Sequence, residues 1–300
     1  MNVFFLILIF FVVGMALRYF FSPPQRLTDN LNFFVIHLAF PAVILTIVPF
    51  IELSVDVLIP LVSYWGLIPL AWILSKVLAR LFSWSRDIEC VCFILFFCGN
   101  TGFLGIPMAK AFLEPQSIAY ALLYDQFGTF VGLATVVGIT IARYQNRESK
   151  TDIKALLFKV ITFTPFAVLM VSLLLPIAPL VTPVLGFLDW LGLMIVPATM
   201  MVVGLQFTLK IEKKYYLPLC ITLLIKMLLL PLGVWALFAV LSVDKIMTAS
   251  VVFQSAAPPM ITAAALLISA RIAVPLVGSA LGLGTILSFI SLPLWGLLLN

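Results

Sequence analysis

The chain has 300 residues, of which 64% are hydrophobic and 10% charged, with a net charge of +5 and a mean hydropathy of +1.24. Soluble domains hold roughly half apolar residues, so this balance excludes an ordinary soluble enzyme and reads as an integral membrane protein. The basic excess then reports topology and contact with the anionic headgroups of a lipid bilayer, and gives no reason to expect nucleic acid as a partner.

Crossing a hydrocarbon core of roughly 30 Å takes about 20 apolar residues in helical form. Stretches of that length, separated by charged or proline-rich breaks, number ten: roughly 2–19, 28–48, 57–79, 88–113, 116–142, 153–175, 184–209, 215–241, 245–270 and 273–298. None alternates apolar and polar residues as barrel strands do, so the expected fold is all-α and polytopic, with ten transmembrane helices.

Span one, within "MNVFFLILIFFVVGMALRYF", lacks a basic leader and an A-x-A-like cleavage site, and reads as a span rather than a signal peptide. Span two carries Pro41 near its middle and His37 in "NFFVIHLAFPAV". That histidine fits either a hydrogen bond between helices or a proton relay. Span three opens near Pro60. Span four is broken by "GNTGFLGIP", whose glycines leave helical geometry cheaply and whose proline removes a backbone hydrogen bond. Cys90, Cys92 and Cys98 lie in the same span and Cys220 in span eight; with a single histidine in the chain, they read as buried inert thiols rather than a metal site or a disulfide. Span five places Asp125 of "YALLYDQFGTF" about nine residues from its start, a depth near the bilayer midplane.

The hydrophilic stretch "RYQNRESKTDIK" then divides the chain near its centre. Residues 1–143 form a first set of five spans, 144–152 a linker, and 153–300 a second set of five. Five is odd, so if the halves are structural repeats the second lies inverted in the membrane. Internal markers agree: Pro197 of span seven answers Pro41, and Pro218 of span eight answers Pro60. Lys226 of "TLLIKMLLLP" reaches a depth in span eight similar to that of Asp125. Span nine is broken by "FQSAAPPMITAAALL", at the position in its half that "GNTGFLGIP" holds in the first.

Alternating the loops between two sides puts nearly all the lysines and arginines on one of them, leaving Lys110 and Lys245 on the other. The basic side is expected to be cytoplasmic, with the protein in the cytoplasmic (inner) membrane and both termini outside.

Each broken span reads as two half-helices. Backbone freed by the break must face protein or a water-filled cavity, because an unpaired amide or carbonyl in lipid costs several kcal/mol. Proline suits the first position of a helix, so Pro107, and Pro258 or Pro259, are expected to head the second halves near the midplane. Two helix N-termini meeting there favour an anion. Asn100, Thr101, Gly102, Pro107, Gln254, Ser255, Pro258 and Pro259 are accordingly the candidate substrate-binding residues, the alternative being kinks that serve packing alone. Asp125 and Lys226 admit three roles: an ion pair compensating the half-helix dipoles, proton coupling through the carboxylate, or a lysine that holds the substrate. No phosphate-binding loop, nucleophile elbow or haem motif occurs, so neither an ATP-driven pump nor an enzyme is expected, and no cofactor beyond a coupling proton or sodium ion.

The stretches "CGNTGFLGIPMAKAFLEPQSIAYALLYDQFGTF", "IKMLLLPLGVWALF" and "SAAPPMITAAALLISARIAVPLVGSALGLGTILSFISLPLW" resemble the auxin efflux carrier family, which includes bacterial transporters and the plant PIN-FORMED carriers. The resemblance covers essentially the whole chain. It implies a 5+5 inverted repeat similar to bile acid sodium symporters and sodium/proton antiporters, with spans four and nine crossing. It further implies a substrate site at Asn100, Pro107 and Pro258, a scaffold and homodimer surface made by spans one, two, six and seven, and a moving transport domain made by spans three to five and eight to ten. The short central loop matches bacterial members, whose implied substrates are organic anions such as malonate or malate. The expected function is a secondary transporter or facilitator of small organic anions. The alternatives are an anion-binding membrane sensor and a sodium-coupled symporter of a bulkier anion.

Overall fold

In the computed structural model the described residues are 3–50, 58–145, 154, 158, 160–209 and 211–300. The central linker expected over 144–152 lies almost wholly outside them. Apolar runs of this length become helices because a helix satisfies every backbone group within its own segment. In chain order they are α1 (Val3–Phe21), α2 (Gln25–Phe50), α3 (Leu58–Leu81) and α4 (Arg86–Phe97). A wide π-type turn at Thr101–Gly105 leads into α5 (Ile106–Phe112), and α6 (Ser117–Tyr144) and α7 (Thr164–Leu174) follow. The chain continues through α8 (Ala178–Gln206), α9 (Lys213–Val240), α10 (Lys245–Ser255), α11 (Ile261–Ser269) and α12 (Val274–Leu299). Among the described residues there is no strand, only an isolated bridge of two residues.

Seven of these helices, α1, α2, α3, α6, α8, α9 and α12, are long and apolar enough to cross a membrane. Their outward faces carry bare hydrocarbon: Leu180 is 77% exposed, Val240 81% and Leu297 75%. Soluble surfaces do not carry apolar patches on that scale, whereas lipid covers them. The protein is therefore an all-helical, multi-pass membrane protein.

The helices pack in two groups. In one, α1 lies along α8, and α2 packs against both α7 and α8. The α1–α8 crossing is close because two glycines meet there: a Cβ on Gly14 would stand 3.0 Å from the Gly204 Cα, and one on Gly204 2.9 Å from the Gly14 Cα. Small residues let backbones approach where no water drives association. In the other group α3 packs on α4 and α6, while α10 sits among α6, α9 and α12. The interior of this second group holds the large buried side chains Tyr64, Phe96, Phe97, Tyr124 and Phe253.

Candidate functional site

The two short helical pairs, α4 with α5 and α10 with α11, are built alike. Each first half starts with a side-chain cap: the Ile88 amide donates to Ser85 Oγ at 3.4 Å, and the Met247 amide to Asp244 Oδ1 at 3.0 Å. These satisfy donors that a helix start leaves free. Each first half then ends in extended backbone, at Cys98–Asn100 and at Ala257–Met260. The two extended segments run antiparallel beside each other, with Gly99 opposite Pro259. The Asn100 amide donates to the Pro258 carbonyl at 2.7 Å, and the Met260 amide to the Cys98 carbonyl at 3.1 Å. Backbone groups released by one break are thus paired by the other.

Pro107 stands at one of the first two positions of α5, as expected, whereas Pro258 and Pro259 do not head a helix. The second half of the first pair starts at Thr101, with Pro107 near the start of α5 behind a complete wide turn. In the second pair the helix begins at Ile261, and Pro258 and Pro259 both lie in the extended segment before it. The contact between the two breaks, rather than local proline preference, decides where helix resumes.

Asp125 and Lys226 are both buried, and both lie in wide π-type turns, Tyr124–Phe130 of α6 and Ile225–Leu229 of α9. Such turns recur at functional sites because they re-aim side chains. Asp125 accepts from Thr101 Oγ1 at 2.5 Å and from Gln126 Nε2 at 2.6 Å. Thr101 opens the half-helix leading into α5, so the carboxylate sits at its positive end. Lys226 Nζ donates to the carbonyl of Ser255, the last residue of α10, at 2.8 Å. The ammonium therefore sits at the negative end of a half-helix. No ion pair joins the two residues; among the described residues the ion pair is Lys76 with Glu89. Glycines make room for both charges: a Cβ on Gly99 would meet Lys226 Nζ at 3.1 Å, and one on Gly102 would meet Asp125 Oδ1 at 3.2 Å.

In front of the crossing lies a cavity of about 370 Å³. Asn100, Gly102 and Asp125 line it from the first break and α6, with Met260, Ile261 and Thr262 from the second. Asn32, Ile36 and Phe40 of α2 and Gln206 of α8 close it from the other helix group. Asn100 Nδ2 and Gln126 Oε1 are buried without a partner among the described residues. Such groups cost free energy unless something accepts from or donates to them. The remaining expected residues stand behind this wall. The Gln254 amide, likewise unpartnered, lies against Gly105, and Ser255 turns its hydroxyl onto the Val252 carbonyl at 2.7 Å. His37 is elsewhere, exposed, with Nδ1 2.6 Å from Thr164 Oγ1 of α7 and its ring 4.4 Å from that of Phe33. It joins two helices.

Sequence reasoning passed over Asn32, Gln126, Gln206 and Thr262. Gln126 had a signal, being a second polar residue beside Asp125 in an apolar span. Asn32 and Gln206 gave none, since they stand toward helix ends where polar residues are ordinary.

The family and the relative that the chain matches make this a membrane transporter rather than an enzyme, and the paired helix breaks, the buried charges on half-helix ends and the amide-lined cavity accord with that class. The chain belongs to the family described as "Membrane transport protein", which matches residues 1–156 and to which auxin efflux carrier-like transporters belong. It is similar over nearly its whole length to an uncharacterized transporter of Methanothermobacter thermautotrophicus, with 24% identity over 302 residues, 98% of this chain and 96% of the relative.

Proposed function

We propose that the protein is a secondary transporter or facilitator of small organic anions that works by alternating access. The observation that carries this reading is Asn100: its buried Nδ2 donor has no partner among the described residues and it lines the cavity beside the two crossing breaks. A carboxylate there completes that donor and faces the positive end of the half-helix that opens at Thr101. The lining contains Asp125 and no lysine or arginine, while Phe40, Phe103, Phe130 and Phe163 supply much of its wall. That composition favours one carboxylate on an apolar body over a doubly charged anion. It also favours proton coupling, since a proton on Asp125 removes the repulsion an incoming anion meets.

In this reading the pairs α4–α5 and α10–α11 are the fourth and ninth of ten spans in a 5+5 inverted repeat. The group α1, α2, α7 and α8 is the scaffold and homodimer surface, and the other helices move. The basic side faces the cytoplasm across the inner membrane, with both termini outside.

The test is flux of labelled mono- and dicarboxylates into proteoliposomes of the pure protein, with and without an imposed pH gradient. Saturable monocarboxylate uptake, lost in Asn100→Ala, is expected. Binding with no flux across the panel would make the protein a sensor, and flux of dicarboxylates alone would overturn the reading of the cavity wall.

A further inference from the structure

A second cavity, about 700 Å³, opens between α3, the start of α4 and the end of α6, away from the crossing. Its two ends differ in chemistry. One end carries Lys76, Arg86 and Arg143. The other is apolar, walled by Ile68 and Trp72 of α3 and Ile139 of α6. Ile68 and Lys76 are separated by about 12 Å along the helix at 1.5 Å per residue, so the groove passes from hydrocarbon to cation over the length of a lipid's upper portion. Trp72 is 53% exposed where the two ends meet, its ring centroid 6.0 Å from Lys76 Nζ, in keeping with the preference of indole for the headgroup level.

Charge at the mouth is incompletely answered among the described residues. Lys76 is paired with Glu89 at 2.6 Å. Asp87 accepts from the Tyr144 hydroxyl, and the Arg86 guanidinium stands over that ring, 5.2 Å from its centroid. Neither Arg86 nor Arg143 makes an ion pair among the described residues. Two guanidinium groups at the rim of an apolar groove match a phosphodiester, which guanidinium binds through paired hydrogen bonds.

We propose that this groove seats one anionic phospholipid, its phosphate between Arg86 and Arg143 and its acyl chains along Ile68, Trp72 and Ile139. A free phosphate would use only the charged end, and the apolar wall at the other end is what selects a lipid. The site lies on helices of the group that contains the crossing, so a lipid here is bound by α3, α4 and α6 together.

Native mass spectrometry of the full-length protein in detergent, with phosphatidylglycerol or phosphatidylcholine added, tests this. One phosphatidylglycerol should be retained, with a preference of roughly tenfold or more over phosphatidylcholine, as expected for two cations at a lipid surface. The preference should vanish in Arg86→Gln/Arg143→Gln. It should also fall in Ile139→Trp, which fills the apolar half and leaves the charges intact, and excess glycerol phosphate should not displace the lipid. Equal retention of the two lipids by the wild type, which depends on no variant folding, would overturn the proposal. So would an undiminished preference in the double variant, or displacement by glycerol phosphate with full retention in Ile139→Trp, which would define a headgroup-only anion site.

Discussion

Asn100 and Asp125 share one cavity wall but ask opposite things of a ligand. The Asn100 amide offers a donor with no acceptor among the described residues. A hydrogen bond to a charged partner contributes about 1.5–3 kcal/mol, so Asn100→Ala should weaken carboxylate binding roughly ten- to hundredfold, measured by equilibrium binding of a labelled monocarboxylate. Unchanged affinity in a folded variant would remove Asn100 from the site. Asp125, already supplied with two donors by Thr101 and Gln126, repels an anion while it is ionised. The sign of the pH dependence follows: affinity in the wild type rises as pH falls and Asp125 takes a proton. Asp125→Asn should bind with the affinity the wild type shows at low pH, and its binding curve should be flat with pH. A variant that keeps the wild-type pH profile would assign the proton to another group.

Helix ends decide what the buried charges do at the scale of elements. Asp125 sits at the positive end of the half-helix opening at Thr101, held by that residue's hydroxyl, and Lys226 bonds the carbonyl at the negative end of α10, with no ion pair between them. If the two act separately, the destabilisations of Asp125→Asn and Lys226→Met should add within about 0.5 kcal/mol in thermal unfolding of the detergent-solubilised protein. A coupling energy of 1 kcal/mol or more would instead mean a direct ion pair. The α1–α8 crossing offers a second check. Gly204→Val places branched carbon where the Gly14 Cα stands within 2.9 Å of a Cβ position, and should cost about 1–3 kcal/mol by forcing the helices apart. Much of this level was legible in the sequence. Gly99, Gly102 and Gly105 with Pro107, and Pro258 with Pro259, are strong local signals, so the breaks were found where they occur. What lay beyond reach was their register, because Gly99 faces Pro259 across more than half the chain and that bridge, not proline preference, sets the first half-helix to end at Phe97. That Asp125 and Lys226 would be buried was legible as well, but the rotation of α6 and α9 that sends each to a different helix end leaves no mark in one sequence.

For the molecule as a whole, the cavity is informative because it lies between the two helix groups rather than within one. Its wall draws Asn32 and Gln206 from α2 and α8, and Asn100 and Asp125 from the opposing group, so sliding one group past the other would change every such pairing at once. One contact spans the groups beside the cavity in a form that can be trapped. Phe130 of α6 stacks on Phe163, the residue before α7, with ring centroids 3.9 Å apart and planes at 16°. Stacked aromatic pairs contribute about 0.5–1.5 kcal/mol, a size that holds one arrangement without preventing its release. If transport requires the stack to part, tying the two positions together should stop flux and spare binding. The experiment is Phe130→Cys/Phe163→Cys with the exposed Cys220 replaced by serine, since Cys90, Cys92 and Cys98 are buried. A cleavable bifunctional thiol reagent should abolish uptake of the labelled monocarboxylate into proteoliposomes, leave its binding within about twofold, and restore uptake once the linker is cleaved. Full uptake by the cross-linked protein would mean that the two helix groups do not move apart at this contact, and alternating access as proposed would have to be abandoned.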